Sequence, residues 1–349
     1  MKPPNRKTTI YDIARISGAS PSTVSAVING TWMRRRISPK TVEMIRKVAD
    51  DQGYSINMQA RGLRRAQSGM VGMIIPLHEN RFFSSLSQTF DTLARERGLC
   101  PVIASTLRNP AEERRVVETL ISYAVDALFI VGASDPEQLG ELCTAANMKH
   151  IYVDLPGKDA PSVITDNYGG ARRLTRRILS EMPRRDSKTL DRPYFLGGSA
   201  SDYATARRIE AFRQTAHEAG YSITDSQIIE CGYAPRSAAE AVANLRRELG
   251  GLPGGVFVNS FTVFEGVTSH LMTLPPEAVA GSAIGCFDYD PFAAFLQFPV
   301  HMIRQDSQRL ISKAYELLDE DVTGSVVFEV EPELIEPRTF AIQDLTSVG

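Results

Sequence analysis

Apolar residues recur at helical spacing in three stretches near the start of the chain, which predicts three short helices. The first is bounded by Thr9, an N-cap with an acidic residue three positions on, and by Gly18 as a stop. The other two begin at Ser20 and Ser38, each followed by proline at the first helical position. Two short helices joined by a turn of about four residues and braced by a third form a helix-turn-helix unit. We therefore predict a small all-α head over residues 1–55.

The second predicted helix has two unlike faces. Its apolar side chains fall on one side, and the other side carries short side chains at the spacing i, i+3, i+4, i+7, namely Ser22, Ser25, Ala26 and Asn29. Short polar side chains let a helix backbone approach the base edges in the major groove of DNA. A generic three-helix bundle with a solvated polar face is the alternative.

From Met70 onward, apolar runs alternate with helical stretches. Four strand–helix units are followed by a second series that begins at "RPYFLGG", and each series predicts a parallel sheet with helices on both faces. The predicted fold class is therefore α/β, an all-α head plus a two-lobed body of doubly wound parallel sheets. We expect the body to span residues 69–349, with 69–165 and 291–324 in the first lobe and 166–290 and 325–349 in the second.

Charge is distributed unevenly along the chain. The formal net charge is −2, but residues 1–65 hold 13 Lys and Arg against 4 Asp and Glu, a net charge of +9. The remaining residues hold 26 basic and 37 acidic side chains, a net charge of −11. A basic head on an acidic body indicates that the head meets a polyanion and the body does not.

A basic segment, residues 56–68, joins the predicted head to the body. Asn57 can cap a short helix that contains Ala60 and Leu63, and Arg64 follows Leu63 directly. An apolar side chain among phosphate-binding cations suits a wedge that opens a minor-groove step. A plain basic linker is the alternative.

Composition argues against several protein classes. No apolar run reaches the roughly 18–20 residues of a membrane span, and the basic start lacks the apolar stretch of a secretory signal. We therefore expect a cytoplasmic protein with no membrane partner. The four cysteines are widely spaced, no His/Cys cluster has metal-ligand spacing, and no phosphate-binding loop or hydrolase motif occurs. We expect no metal, no cofactor and no catalytic residue; an enzyme using Asp154 and Asp288 as a carboxylate pair is the alternative.

Polar residues follow the predicted body strands at their carboxyl ends, where ligands bind in open parallel sheets. This mix of acids, amides, hydroxyls and nearby rings suits a polyol, because polar groups bind hydroxyl pairs and rings pack on apolar faces of a sugar. The candidate effector-binding residues are Leu77, Asn80, Phe82, Phe83, Ser134, Asp154, Asp202, Arg208, Ser260, Phe261, Asp288 and Gln305.

The stretches "TIYDIARISGASPSTVSAVING", "SPKTVEMI" and "GYSINMQARGLRR" resemble the head and hinge of the lac repressor (LacI/GalR) family of bacterial transcription regulators. The order of helix-turn-helix, hinge and two sugar-binding lobes, like those of periplasmic binding proteins, is similar over essentially the whole chain. "VNSFTVFEGV" and "FLGGSASDYATARRIEAF" are most similar to the fructose and sucrose regulators of that family.

The resemblance implies roles for particular residues. Leu63 stands where the hinge leucine of the family enters the minor groove. The expected DNA-binding residues are Thr9, Tyr11, Ser20, Pro21, Ser22, Thr23, Ser25, Ala26, Asn29, Arg34, Arg35, Arg36, Asn57, Ala60, Leu63 and Arg64. Ala26 replaces a longer side chain common in the family, which leaves at most a methyl contact to a base. Leu155 stands where the fructose regulators have arginine, which disfavours a phosphorylated ligand if that arginine holds a phosphate.

We therefore predict a sequence-specific DNA-binding transcriptional regulator, a repressor of sugar-catabolism genes controlled by a sugar or sugar phosphate bound between two lobes. A homodimer, or a dimer of such dimers, would match a pseudo-palindromic double-stranded operator with half-sites about 10 bp apart, or a multiple of that. Ligand binding would change the angle between the lobes. A periplasmic-type sugar receptor would share the body but would lack the basic head.

Overall fold

A computed structural model describes residues 8–54, 67–183 and 190–337. The chain divides into two compact units, Met1–Gly69 and Met70–Gly349, which are called the head and the body below.

Three α-helices form the head, and each begins at a residue whose side chain caps it. The helices are α1 (Ile10–Ser17), α2 (Pro21–Ile28) and α3 (Pro39–Asp51). Thr9 and Asp12 form a reciprocal capping box, and the hydroxyls of Ser20 and Ser38 accept hydrogen bonds from backbone N–H groups three residues on. Gly18 follows α1 in the left-handed conformation (φ 68°), which favours a residue without a Cβ atom. The predicted starts of the three helices and the stop of the first at Gly18 are confirmed.

The apolar stripes of the three helices meet in one small core. Ile13, Val24 and Ile45 come from different helices and lie fully or almost fully inside it, while Trp32 and Tyr54 pack against its edge. Burial of these side chains holds together helices that are too short to be stable alone in water.

Two six-stranded sheets form the body, one in each lobe. The strands are β1 (Met70–Ile75), β2 (Cys100–Ser105), β3 (Ala127–Val131), β4 (His150–Val153), β5 (Ser162–Thr165), β6 (Pro193–Leu196), β7 (Ile228–Ile229), β8 (Gly255–Val258), β9 (Ala283–Phe287), β10 (Val300–Arg304), β11 (Val327–Val330) and β12 (Glu333–Ile335). The first sheet has the order β11-β5-β4-β3-β1-β2 and is parallel throughout. The second has the order β12-β10-β9-β8-β6-β7 and is parallel except for the antiparallel edge strand β12.

Helices cover both faces of each sheet, as the alternating pattern predicts. They are α4 (Arg81–Glu96), α5 (Pro110–Ser122), α6 (Pro136–Ala145), α7 (Asn167–Glu181), α8 (Tyr203–Glu218), α9 (Pro235–Leu249), α10 (Phe261–Leu271), α11 (Pro276–Val279) and α12 (Ser307–Asp319), with short 3₁₀ helices at Asp225–Gln227 and Pro291–Phe295. Phe90 of α4 and Tyr315 of α12 pack on one face of the first sheet, and Val117 of α5 and Leu139 of α6 on the other. In the second lobe, α7 and α8 cover one face, and α9 and α10 the other.

The chain crosses between the lobes three times, after β5, after β10 and between β11 and β12. Two strands therefore lie in a different lobe from the predicted one. β10 pairs with β9 in the second sheet, although residues 291–324 were predicted in the first lobe, and β11 pairs with β5 in the first sheet, although 325–349 were predicted in the second. The sequence analysis also does not predict β5 and α7. Alternation of apolar runs identifies strands, but the partner of each strand depends on crossovers that the pattern does not encode.

Candidate functional site

The exposed start of α2 presents a cluster of hydroxyl groups. Ser20 Oγ lies 2.8 Å from both Ser22 Oγ and Thr23 Oγ1. Pro21 and Ser22 are exposed, and Tyr11 of α1 is 74% exposed. Hydroxyl groups both donate and accept hydrogen bonds, so this surface can bind base edges and phosphate oxygens.

The later turns of α2 depart from the predicted polar face. Asn29 Nδ2 donates to the backbone oxygen of Ser25 at 2.8 Å and lies 3.2 Å from Ser25 Oγ. Ala26 is only 3% exposed, which contradicts its predicted place on that face. Because α2 packs against both α1 and α3, its buried sector is wider than one stripe and includes residue 26. The Thr9 hydroxyl donates to Asp12 Oδ2 at 2.6 Å, so it serves the helix cap.

Three consecutive arginines, Arg34, Arg35 and Arg36, lie exposed in the turn between α2 and α3. None of them forms an ion pair with another part of the described chain. Their guanidinium groups keep their donors available for phosphate oxygens. The other predicted DNA-binding residues, Asn57, Ala60, Leu63 and Arg64, lie outside the described residues.

A cavity lies between the carboxyl ends of the two body sheets. It is lined by Leu77, Asn80, Phe82, Phe83, Arg108, Asp154, Ala204, Arg208, Tyr233, Ser260, Thr262, Asp288 and Gln305. Nine of the twelve predicted effector-binding residues are among them. Both lobes contribute, so a ligand in this cavity would contact both.

Arg208 is the buried cation of the cavity. It is 4% exposed, and its Nε donates to Asn167 Oδ1 at 2.9 Å while Nη1 donates to the backbone oxygen of Asn259 at 2.7 Å. Its guanidinium lies over the ring of Phe287, 3.7 Å from the centroid. These contacts fix the plane of the guanidinium, which suits it to donate to a ligand from a set position.

Asp288 and Gln305 are held together at the ends of β9 and β10. Gln305 Nε2 donates to Asp288 Oδ1 at 2.7 Å, and the backbone N–H of Phe261 donates to Asp288 Oδ2 at 3.0 Å. The amide oxygen of Gln305 accepts from Thr165 Oγ1 at 2.6 Å. Thr165 ends β5 just before the first crossover, and Gln305 lies in the second, so this chain of hydrogen bonds joins two crossovers to the cavity.

Asp154 follows β4 and takes a left-handed backbone conformation (φ 72°), which is uncommon for a residue with a side chain. Burial raises the pKa of its carboxyl to about 7; the charges of Arg208 and Arg108 oppose this rise, and that of Asp288 adds to it. Its carboxylate forms no hydrogen bond to any other described residue. An unpartnered carboxyl in a cavity is an acceptor held ready for a ligand.

Comparison with known proteins identifies the chain. Residues 9–57 match the model of bacterial regulatory proteins of the lacI family. Residues 68–250, more than half of the chain, match that of periplasmic binding proteins and the sugar binding domain of the LacI family. The chain belongs to the LacI family. It is a DNA-binding transcriptional regulator with a sugar-binding body, and not an enzyme.

Two relatives of this LacI-family regulator are named as repressors of a polyol or sugar operon. The ribitol operon repressor of Klebsiella aerogenes is 46% identical over 193 residues, which cover 55% of this chain and 71% of that protein. The sucrose operon repressor of Klebsiella pneumoniae is 28% identical over 91% of this chain and 93% of its own length. The structure of the lac repressor dimer bound to operator and an anti-inducer shares the fold, with a TM-score of 0.78 at 19% identity over 95% of this chain and 98% of that one.

Three predicted effector-binding residues of the regulator lie outside the cavity lining. Asp202 accepts from the hydroxyl of Tyr233 at 2.9 Å and so supports the wall. Ser134 donates from its backbone N–H and its hydroxyl to Glu113, and the ring of Phe261 packs against Phe264. Each follows a strand, as predicted, but its side chain is engaged elsewhere.

Four residues in the lining were not predicted. They are Arg108, Ala204, Tyr233 and Thr262. Arg108 and Tyr233 lie a few residues beyond β2 and β7, so a wider window after each strand would have included them. Ala204 and Thr262 lie in the first turns of α8 and α10, just after the predicted residues Asp202 and Ser260.

Among the described helices of the regulator, none is long and apolar enough to cross a membrane. Across residues 8–54, 67–183 and 190–337, no group of three or more His, Cys, Asp or Glu residues is placed to hold a metal ion.

Proposed function

We propose that this LacI-family regulator represses an operon for polyol catabolism in the cytoplasm. It binds a pseudo-palindromic operator as a homodimer and releases the operator when a neutral polyol binds between its lobes. The observation that carries this proposal is the cavity in which side chains of both lobes surround an unpartnered carboxyl, Asp154.

The head supplies the proposed DNA contacts. Ser22 and Pro21, exposed at the start of α2, suit contacts to base edges because their side chains are short. The exposed run from Arg34 to Arg36 suits contacts to phosphates, which position the protein on the duplex. Two heads in a dimer would double the readout and neutralise more phosphates than one head.

The ligand class follows from the charges at the cavity. Arg108 and Arg208 face two carboxyl groups, Asp154 and Asp288, so an anionic ligand would meet acidic as well as basic side chains. A phosphate monoester adds about 1.5–2 negative charges at neutral pH, and Leu155 adds no third cation to Arg108 and Arg208 to offset them. A hydroxyl-rich neutral ligand fits the donors and acceptors better. The relation to the ribitol operon repressor supports a pentitol.

Ligand binding acts on the lobes through Asp288 and Gln305. A ligand hydroxyl that bonds to Asp288 perturbs the hydrogen bonds that reach Gln305 and Thr165 at two crossovers. A change in the angle between the lobes follows if the ligand binds one angle more tightly than the other. Couplings of this kind are worth about 1–3 kcal/mol, or 5–150-fold in operator affinity.

The test measures operator affinity by fluorescence anisotropy, on an operator obtained by selection from random duplexes. Ribitol, arabitol, xylitol, fructose, sucrose and fructose 1-phosphate are added in turn. We expect a neutral pentitol to weaken operator binding 5–150-fold. Arg208→Met should abolish this response, and Arg207→Met should retain it because Arg207 pairs with Glu210 on the surface. A response to the phosphorylated sugar alone, or to none of these compounds, would contradict the proposed ligand class.

A further inference from the structure

Arg108 is a cation that a strained loop holds at the cavity. Leu107 and Arg108 both take the left-handed backbone conformation (φ 54° each), and two such residues in a row are costly without glycine. The loop is held on both sides: Leu107 N–H donates to the Pro76 carbonyl at 2.9 Å, and the Ser134 hydroxyl, which donates to Glu113, lies 3.3 Å from the Arg108 carbonyl. Backbone strain that the surroundings maintain is typical of functional positions.

The side chain of Arg108 reaches from the first lobe to the second. Its guanidinium lies over the ring of Tyr233, 4.9 Å from the centroid. The Tyr233 hydroxyl lies 2.9 Å from both Asp202 Oδ2 and Thr205 Oγ1, which fixes the ring. Arg108 therefore rests on a rigid platform and lines the cavity at the junction of the lobes.

Arg108 forms no ion pair with any carboxylate in the described part of the chain. Many other arginines of the body do, including Arg81 with Asp290 and Arg207 with Glu210. Arg108 is nevertheless close enough to Asp154 for its charge to lower the pKa of that carboxyl. An unpaired guanidinium and an unpartnered carboxyl thus face the same space.

We propose that Arg108 is a ligand-contacting, specificity-determining residue that donates to the oxygens of a vicinal hydroxyl pair. A planar guanidinium offers two parallel donors, which match two neighbouring oxygens. The carboxyl oxygens of Asp154 accept hydrogen bonds from the same hydroxyls. This inference rests on the proposed function, because it names a contact by which the cavity recognises its ligand.

The two cations of the cavity lining differ in what they already bind. Arg208 uses Nε and Nη1 on Asn167 and Asn259, which leaves only Nη2, whereas no donor of the Arg108 guanidinium is committed within the described residues. The donors of Arg108 therefore remain for the oxygens of a ligand.

The test is titration calorimetry of ribitol and ribitol 5-phosphate with the full chain and three variants. We expect Arg108→Ala to weaken ribitol binding about 10–100-fold, because hydrogen bonds from a charged donor are lost. Arg108→Lys should bind ribitol with an affinity between those of the wild type and Arg108→Ala, since a point charge lacks the planar pair of donors. Arg114→Ala is the matched control, because Arg114 is exposed on α5 and pairs with Glu118; it should bind ribitol within twofold of the wild type.

Thermal melts and operator binding without ligand check that each variant is folded, and both should match the wild type. If the wild type binds ribitol and Arg108→Ala binds it equally well, the inference is overturned and the proposed function stands. Binding of ribitol 5-phosphate as tightly as ribitol would overturn the neutral ligand class of the proposed function, and the Arg108 variants would still decide the contact assigned to Arg108. A wild type that binds neither compound would overturn the proposed ligand class and this inference together.

Discussion

Replacing Asp154 with asparagine should stabilise the unliganded regulator at alkaline pH. Burial raises the pKa of this carboxyl from 3.8 to about 7 in the folded chain. Between these values the folded state keeps a proton that the unfolded chain has lost. Stability from this group is therefore present below about pH 4 and is lost as the pH rises to 7. The full loss corresponds to an upper limit of about 4 kcal/mol.

Asp154→Asn removes this loss because an amide carries no charge. At about 2 °C per kcal/mol for a body of this size, the variant should melt up to roughly 8 °C higher at pH 8. About 5 °C of that gain should appear between pH 5 and pH 8, since most of the titration lies there. Asn also removes an acceptor from the cavity, so polyol binding should weaken as stability rises.

The measurement is a series of thermal melts of wild type and variant from pH 5 to pH 8. Asp225→Asn is the control, because Asp225 is fully exposed and pairs with Arg213 on the surface. It should change the melting temperature by less than about 2 °C at every pH. Parallel curves for wild type and Asp154→Asn over this range would refute the reasoning.

Three further predictions concern the head and the crossovers. Ser20→Ala removes the N-cap of α2, and circular dichroism melts should show a loss of about 1 kcal/mol from the head; an unchanged head would contradict the capping argument. Arg35→Ala should weaken operator binding and lower the slope of log affinity against log salt by about 1 in anisotropy titrations, whereas an unchanged slope would exclude a phosphate contact. Thr165→Val breaks the hydrogen bond to Gln305, so calorimetry should find ligand affinity within a few-fold of wild type while the effect of ligand on operator affinity changes; an unaltered effect would remove Thr165 from the coupling.

The head was predictable because its signals act over three or four residues. The N-caps Thr9, Ser20 and Ser38 and the stop at Gly18 are local features of sequence, and each is where the sequence places it. Ala26 shows the limit of such reasoning. A helical projection assigns it to the polar face, but the width of the buried sector depends on how α1 and α3 pack around α2.

In the body, the sequence predicted most strands and the positions of their carboxyl ends. It was less able to predict which strands pair with one another in each sheet. Asp154, Asp288 and Gln305 follow strands in sequence, and the parallel sheets bring them together. Arg108 and Tyr233 were missed because their place in the cavity depends on the loop after β2 and on the packing of one lobe against the other. Nothing in a single sequence encodes a left-handed conformation at a leucine followed by an arginine.

The position of Gln305 explains why ligand binding in the cavity depends on the conformation of the crossovers between the lobes. Its amide donates to Asp288, a wall of the cavity, and accepts from Thr165, which ends a strand of the other lobe. A ligand that bound both lobe angles equally would shift nothing, however tightly it bound. A difference in affinity must come from contacts whose geometry depends on the angle. The chain from Thr165 through Gln305 to Asp288 joins residues of both lobes, so a ligand that bonds to Asp288 makes such a contact, and its affinity should depend on the angle that the crossovers adopt.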